Sequence, residues 1–176
     1  MAKDEYAYIL EYLPYGLPDS RDRRPSAIIL TESVALLIAA LKKGVTVEVG
    51  KKVYIGEDKR DEIHHIMSRI TPDKLSGSGL QRLEERIDQI VVENEAKYVG
   101  IINSLGPINV RLNAIELIPG MGKKTTQKLL DERKKKPFES YKDLDERMQL
   151  SPSISKDISA RILEELQNKD KYRIFT

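Results

Sequence analysis

Short apolar runs broken by turns make up the first 70 residues. The runs EYAYILEYL, SAIILTE and VALLIAAL, which start at residues 5, 26 and 34, favour β-strands. VTVEV alternates, and Gly50 joins it to KKVYIG, so this segment predicts a β-hairpin. DEIHHIMSRI predicts a further strand, with a helix as the alternative because its apolar spacing is ambiguous. Five short strands separated by turns predict a small barrel.

Helical spacing replaces this pattern after residue 72. Gly77 and Gly79, which lie among serines, predict a loop. An amphipathic helix is predicted next from the spacing of Leu80, Leu83, Ile87 and Ile90. NEAKYVGIINSLG, starting at Asn94, predicts a second helix that ends before Pro107. Its inward-facing residues are predicted to be Tyr98, Ile101 and Ile102.

The C-terminal half contains an internal repeat with an offset of 33 residues. AIELIPGMGKKTTQKLLDER, from residue 114, aligns with RMQLSPSISKDISARILEEL, from residue 147. This self-similarity predicts two copies of one supersecondary unit, linked by a helix that begins near Ser140 with Asp143 in its cap. In the second copy Ser153 and Ser155 stand where the first has Gly120 and Gly122, so the second turn is predicted to be structural.

The first copy contains PGMGKKT, which has the features of a backbone phosphate site. Its two glycines permit positive φ and lack a Cβ, so an anion can approach the main chain. The following helix would direct free N–H groups and its positive dipole end at that anion. Contacts with the phosphate backbone predict sequence-independent binding. The alternative is an ordinary helix end followed by solvated lysines. The predicted contact residues are Gly120, Met121, Gly122, Lys123, Lys124, Thr125 and Lys128.

These residues resemble the helix-hairpin-helix motif of nucleic-acid-binding proteins. In that motif an apolar residue, Pro-Gly, an apolar residue and Gly precede a helix with a small side chain near its fifth position. Ile118, Pro119-Gly120, Met121 and Gly122 match this order, and Thr126 takes the small position where alanine is usual. The two copies resemble the tandem form of the motif over about residues 107–168, including the link PFESYKDL.

Nearly the whole chain resembles an uncharacterised archaeal family of predicted nucleic-acid-binding proteins. The phrases GVTVEVGKKVYIG and RDEIHHI are similar to the OB-like barrel strands of that family. The expected fold class is therefore α+β, with a small OB-like β-barrel over residues 1–72, linking helices over 73–106, and an all-α tandem helix-hairpin-helix domain over 107–176. The resemblance implies RNA or DNA as the partner, with RNA slightly favoured, in the setting of the ribosomal or transcription machinery.

The barrel offers a second candidate surface. Tyr6, Tyr8 and Tyr12 have even spacing and would share one strand face, where bases could stack. Half-buried packing with a wet hydroxyl group is the alternative. The following loop supplies the arginines that would contact phosphates, although Asp19 and Asp22 offset two of them. These candidate binding residues are Arg21, Arg23 and Arg24.

Composition excludes several kinds of site. The chain has 176 residues, no cysteine and two histidines, so disulfides, iron–sulfur clusters and thiolate zinc sites are excluded. His64 and His65 are neighbours and would point to opposite faces of a strand, so they are expected to be structural. No metal or cofactor is expected. The sequence shows neither a long apolar run nor a leader, so a cytoplasmic protein without membrane contact is expected.

Charge is distributed unevenly although the net charge is only +2. Residues 1–70 carry eleven basic and eleven acidic side chains, whereas residues 106–136 carry eight and three. This local excess surrounds the glycine-containing turn and indicates a polyanionic partner.

A catalytic alternative comes from a second resemblance. PGMGKKT is similar to the hairpin of helix-hairpin-helix DNA glycosylases, in which the lysine that matches Lys124 can form a Schiff base with the sugar. Those enzymes also need an aspartate farther along the chain. Asp143 and Asp145 lie in YKDLDER, which predicts an exposed helix. A non-catalytic nucleic-acid-binding protein is therefore expected, with an abasic-site lyase and a protein–protein adaptor as the alternatives.

Overall fold

The computed structural model describes residues 4–176. The chain divides into two compact units, the first running through Glu85 and the second covering mainly Arg86–Glu165. Near the C-terminus, Leu166–Asn168 belongs to the first unit and Lys169–Phe175 to the second. The two units meet within one helix, and the domain limits at residues 72 and 106 stay a prediction.

Strands precede helices in chain order, and the expected α+β class is confirmed. The strands are β1 (Tyr6–Leu13), β2 (Ser26–Thr31), β3 (Leu36–Leu41), β4 (Lys52–Tyr54), β5 (Ile63–Arg69), β6 (Pro107–Asn109) and β7 (Leu112–Asn113). The α-helices are α1 (Gly77–Glu93), α2 (Glu95–Ser104), α3 (Lys123–Lys135), α4 (Tyr141–Met148) and α5 (Ile154–Leu166). Two 3₁₀ helices cover Pro72–Lys74 and Ala114–Leu117.

One five-stranded antiparallel sheet forms the first unit. Its strand order is β4-β1-β2-β3-β5, and it curls into a half-barrel. The strands β1 to β4 follow Greek-key order, because β4 returns by a long connection to lie beside β1. The strands predicted at EYAYILEYL, SAIILTE, VALLIAAL and DEIHHIMSRI are confirmed, the last as a strand and not a helix.

The hairpin predicted around Gly50 is wrong. Residues 45–49 form no strand, and β4 instead pairs antiparallel with β1. The cause is the free edge of β1, where Gly50 N donates to Ile9 O at 2.7 Å and Ile9 N donates to Lys51 O at 2.9 Å. Val47 is nevertheless buried and Val45 packs against the core cluster, so these two valines contribute to the core without pairing in the sheet, whereas Val49 is 43% exposed.

The sheet is buried on both faces. One face carries the core cluster that includes Ala7, Ile9, Ala27, Ile29, Ala39, Leu41, Val53 and Ile63. The side chains of the opposite face, among them Ile28, Leu30, Leu36 and Ile38, are also buried. All six residues of β2 are buried, which explains why this strand is a continuous apolar run and lacks alternation.

Helix α1 begins earlier than the sequence predicts. Gly77 and Gly79 lie in its first turn and not in a loop. A Cβ on Gly79 would come within 2.3 Å of Glu11 Oε2 and 2.9 Å of Leu75 Cδ2, both of them side-chain atoms. The predicted apolar stripe is confirmed by the burial of Leu83, Ile87 and Ile90.

The two copies of the repeat place α3 and α5 after similar turns. Helix α4 links them and begins at Ser140, whose Oγ accepts a hydrogen bond from Asp143 N at 3.0 Å, as the sequence predicts. Helix α5 begins at Ile154, the counterpart of Met121, and therefore starts two positions earlier in the repeat than α3. The two turns consequently have different helix N-termini.

Candidate nucleic-acid interface

The turn before α3 is anchored by apolar side chains. It follows the 3₁₀ helix Ala114–Leu117, and Met121 N donates to Ile118 O at 3.0 Å. Ile118 and Met121 are 1% and 3% exposed, so both are held in the core of the second unit. Between and after them, Gly120 and Gly122 are exposed. Buried apolar residues thus present two glycines to solvent.

The two glycines have different backbone roles. Gly120 has φ +80°, a conformation that suits glycine, whereas Gly122 has φ −71°. Both glycines permit positive φ, but of the two only Gly120 adopts it. A Cβ added at Gly122 would meet no heavy atom within 4 Å. The fold requires glycine at Gly120 for its backbone conformation, but it does not require glycine at Gly122.

Backbone donors are available at the N-terminus of α3. Gly122 is the N-cap residue and supplies no side-chain cap, while its carbonyl accepts the first helical bond from Thr126 N at 2.8 Å. The N–H groups of Lys123, Lys124 and Thr125 precede this bond and have no partner among the described residues. Together with the helix dipole, these donors favour an anion.

The predicted lysines fall into two groups. Lys123 and Lys124 are exposed, and within residues 4–176 neither lies at ion-pair distance from a carboxylate. Lys128 instead donates to Met148 O at 3.2 Å, at the C-terminal end of α4. The ammonium group of Lys128 is therefore bound to the C-terminal end of α4. Of the predicted lysines, Lys123 and Lys124 are the ones whose charge can reach an anion at the turn.

In the second turn, side chains accept hydrogen bonds from main-chain N–H groups at the start of α5. Asp145 Oδ1 accepts a hydrogen bond from Ile154 N at 2.8 Å, and Ser153 Oγ donates to Asp145 Oδ2 at 2.5 Å. Ser155 N donates to Ser153 Oγ at 3.4 Å. Asp145 is therefore not on an exposed helix face as predicted, because its carboxylate binds the main-chain N–H of Ile154 and the hydroxyl of Ser153.

A second carboxylate also distinguishes the two copies. Asp157 lies in the first turn of α5, at the repeat position that Lys124 occupies in α3. Its Oδ2 is 3.9 Å from the position that a Cβ on Gly120 would take. Burial, together with the charge of Asp145, raises the pKa of the Asp157 carboxyl. The carboxylates of Asp145 and Asp157 make the second turn electrostatically unsuited to an anion, and the Asp157 carboxylate, which lies beside Gly120, also opposes an anion at the first turn.

The predicted tyrosine face is divided between the two sides of the sheet. A β-bulge in β1 shifts the register between Ile9 and Glu11, so side-chain direction reverses there. Tyr12 packs against the core cluster, whereas Tyr6 lies beside Tyr54 with a ring separation of 5.4 Å. Lys52 Nζ lies 4.7 Å from the Tyr6 ring centroid. The expectation of one shared face for Tyr6, Tyr8 and Tyr12 is therefore wrong.

The β1–β2 loop contains one paired and two unpaired arginines. Arg24 binds Asp22 through Nε and Nη2, with distances of 2.5–3.0 Å, and hydrogen bonds from Arg24 lower the pKa of Asp22 to about 2. Arg21 and Arg23 are exposed and have no hydrogen bond or ion pair with the described residues.

Sequence reasoning missed Tyr15, which is 75% exposed in this loop. Its position between a proline and a glycine is the signal that could have found it.

The two histidines are closer than predicted. His64 lies at a register shift of β5, because His65 faces Ala40 and Ile63 faces Leu41. The bulge brings the Nδ1 atoms of the two rings to 2.7 Å, so the expectation of opposite faces is wrong. Within the described chain no cluster of three or more His, Cys, Asp or Glu side chains could hold a metal ion.

The protein combines a half-barrel sheet with a helical repeat, and in the first copy of that repeat helix α3 has no side-chain cap at its N-terminus. The chain belongs to the family described as protein of unknown function, DUF655, whose model matches residues 3–176. It is 38% identical over 175 residues to the uncharacterized protein MJ0038 of Methanocaldococcus jannaschii, covering 98% of this chain and 79% of that protein.

A crystal structure of a relative has a similar fold. The structure of Af1531 from Archaeoglobus fulgidus, also of family DUF655, matches with a TM-score of 0.82 and 36% identity. The match covers 98% of this chain and 99% of that one. Of the helices in residues 4–176, none combines the length and the apolar character needed to cross a membrane.

Proposed function

We propose that the protein binds the phosphate backbone of nucleic acid through the turn at Gly120–Thr125, without catalysis. The observation that supports this most directly is the contrast between the two copies of the repeat. The first leaves the N–H groups of Lys123, Lys124 and Thr125 without a partner among the described residues, whereas Asp145 accepts a hydrogen bond at the start of α5. A bound anion would accept hydrogen bonds from the main-chain N–H groups of the first turn, as the Asp145 carboxylate does in the second.

The wider architecture is consistent with this proposal. The apolar anchors and glycine turn resemble a helix-hairpin-helix, and the Greek-key half-barrel resembles an OB fold, which is a partly open five-stranded Greek-key barrel. Contacts from main-chain donors and lysines reach phosphates and not base edges, so binding would be largely independent of sequence. The slight preference for RNA, in the ribosomal or transcription machinery, derives from the family resemblance.

The decisive variant is Gly122→Ala. Its methyl group enters open space, so the fold should be unaffected, yet it would stand between the helix end and a phosphate. Loss of one or two charged hydrogen bonds predicts about ten- to hundredfold weaker binding to RNA and duplex DNA alike. Fluorescence anisotropy measures the affinity. Gly100→Ala is the matched control, because Gly100 is an exposed helical glycine with open space around its Cβ position.

The charge contribution is tested separately. Lys124→Gln should reduce the slope of log affinity against log salt by about 0.9 on duplex DNA, the value for one phosphate contact. Lys134→Gln removes an exposed lysine from the other end of the same helix and should change the slope less. Equal affinities for wild type and Gly122→Ala, together with equal slopes for the two lysine variants, would refute the proposal.

A further inference from the structure

The β1–β2 loop, residues 14–25, is held in one compact conformation by its own hydrogen bonds. Gly16 N donates to Leu13 O at 3.2 Å, and Ser20 N donates to Leu17 O at 3.0 Å. Asp22 N donates to Ser20 Oγ at 3.1 Å. Arg24 N also donates to Asp22 Oδ1 at 3.1 Å, so the loop consists of consecutive turns with internal hydrogen bonds.

Close contact between its two limbs fixes the loop further. Gly16 has φ +70°, and a Cβ there would lie 2.5 Å from Asp22 O and 3.3 Å from Arg24 O. Only glycine allows this approach without displacement of the backbone. Since adjacent Cα atoms are about 3.8 Å apart, the contact brings Tyr15 on one limb near Arg21 and Arg23 on the other.

Near this contact the loop has one exposed aromatic side chain, Tyr15, and two exposed arginines, Arg21 and Arg23. Tyr15 is 75% exposed and is the most exposed aromatic side chain among the described residues. The acidic residues of the loop are already engaged, because Asp22 binds Arg24 and Asp19 lies 3.6 Å from Lys74 Nζ. The unpaired charge of the loop is therefore that of Arg21 and Arg23.

We propose that this loop binds single-stranded nucleic acid, with Tyr15 stacked on an unpaired base and Arg21 and Arg23 on the adjacent phosphates. An exposed ring can stack only on a base that is not already enclosed in a duplex, whereas guanidinium groups recognise phosphate in any strand. The inference rests on the proposed nucleic-acid binding, but it concerns a different unit of the chain from the glycine turn.

The test uses the full chain and two fluorescent 12-mers, oligo-uridylate and an abasic oligomer with the same phosphates. Tyr15→Leu should weaken binding to oligo-uridylate by roughly five- to a hundredfold, the range for loss of one stacked base, and leave the abasic oligomer within about twofold. Arg21→Gln and Arg23→Gln should weaken both and each reduce the salt slope by about 0.7.

Matched variants separate these effects from general ones. Tyr15→Phe keeps the ring and should bind as wild type, and Arg69→Gln removes an exposed arginine from β5 and should leave the affinity unchanged. Gly122→Ala, measured in parallel, distinguishes failure of the glycine turn from failure of the loop. Equal binding of oligo-uridylate by wild type and Tyr15→Leu, or no single-strand binding by wild type, overturns this inference.

Discussion

The carboxylate of Asp145 accepts a hydrogen bond from the main-chain N–H of Ile154 at 2.8 Å. The residue 33 positions earlier, Leu112, lies just before the first copy of the repeat and has no acceptor in its side chain. The side chains of Asp145 and Ser153 accept hydrogen bonds from main-chain donors at the start of α5, whereas the N-cap residue of α3 is Gly122, which has no side chain. These differences explain why two similar turns differ in the pairing of their main-chain donors.

Replacement of Asp145 should destabilise the second unit. Asp145→Ala removes the acceptor at the start of α5, and loss of an N-terminal cap typically lowers the free energy of unfolding by about 1 kcal/mol. Urea denaturation measures the change. Glu84→Ala, which removes an exposed acid from α1, should leave the stability within about 0.5 kcal/mol of wild type. Equal stability of Asp145→Ala and wild type would show that the cap is dispensable.

Asp157→Asn should strengthen phosphate binding at the first turn. The variant removes a negative charge beside Gly120, and a pair of charges 4 Å apart in water interacts by about 1 kcal/mol, so an increase of up to about fivefold is expected. Anisotropy titration with duplex DNA at low salt measures it. Weaker binding by Asp157→Asn would contradict a repulsive role for this carboxylate.

The same variant should also change the pH dependence of stability. Because the pKa of Asp157 is raised in the folded state, the folded state holds this proton more tightly than the unfolded state. The charged form therefore destabilises the fold above the raised pKa, and this effect is absent below the ordinary value of 3.8. Asp157→Asn should be more stable than wild type at pH 7 but not at pH 3, as measured by urea denaturation.

Two buried tyrosines should respond oppositely to loss of the hydroxyl group. Tyr141 Oη donates to Val91 O at 2.7 Å, so Tyr141→Phe leaves a buried carbonyl without this partner and should lower the free energy of unfolding by about 1–2 kcal/mol. The hydroxyl of Tyr98 is buried and has no hydrogen-bond partner within residues 4–176, so Tyr98→Phe should be neutral or stabilising. Chemical denaturation of both variants compares them, and equal destabilisation would contradict the assigned contacts.

Alkaline solution should destabilise the wild type through Tyr98. Burial raises the pKa of Tyr98 to about 12 from 10.0, so the folded state retains a proton that the unfolded state loses. Stability contributed by this group is present below pH 10 and lost as the pH rises towards about 12. The stability of Tyr98→Phe should therefore fall less than that of wild type between pH 9 and pH 11, a comparison made by urea denaturation.

Thr126→Val should stabilise the second unit. Thr126 is 5% exposed, and its Oγ1 has no hydrogen-bond partner in the part of the chain that the structure describes. Replacement of a buried unsatisfied hydroxyl by a methyl group of similar shape removes a desolvation penalty of about 1–3 kcal/mol, so a gain of about 1 kcal/mol is expected. A lower urea midpoint for Thr126→Val than for wild type would show that the hydroxyl has a role.

Local patterns predicted the elements that depend on local sequence. Apolar runs located β1, β2, β3 and β5, and the spacing of Leu83, Ile87 and Ile90 located α1. The pairing of β4 was not predictable in this way, because its partner is the edge of a strand more than forty residues earlier. Alternation also failed where one extra residue in β1 reversed the side-chain directions.

The sequence likewise predicted only those parts of the candidate site that depend on local sequence. The glycine turn and its lysines are contiguous in sequence, so the motif identified them together. The engagement of Lys128 with Met148 O and of Asp145 with Ile154 N depends on how α3, α4 and α5 pack, which spacing alone does not encode. The arginines of the β1–β2 loop were predicted from sequence, but Tyr15 was missed, because the sequence argument considered only the tyrosines on β1.

The β-bulge in β1 determines how relatives of this chain are to be aligned. The extra residue keeps Glu11 off the face that carries the core cluster, and its carboxylate accepts a hydrogen bond from Ser76 N at 3.0 Å. A relative with one residue fewer between the positions of Ile9 and Glu11 would have regular alternation there, so the residue aligned with Glu11 would still face away from the core cluster and the gap belongs at Leu10. A gap placed elsewhere in β1 would mispair the positions between it and the bulge.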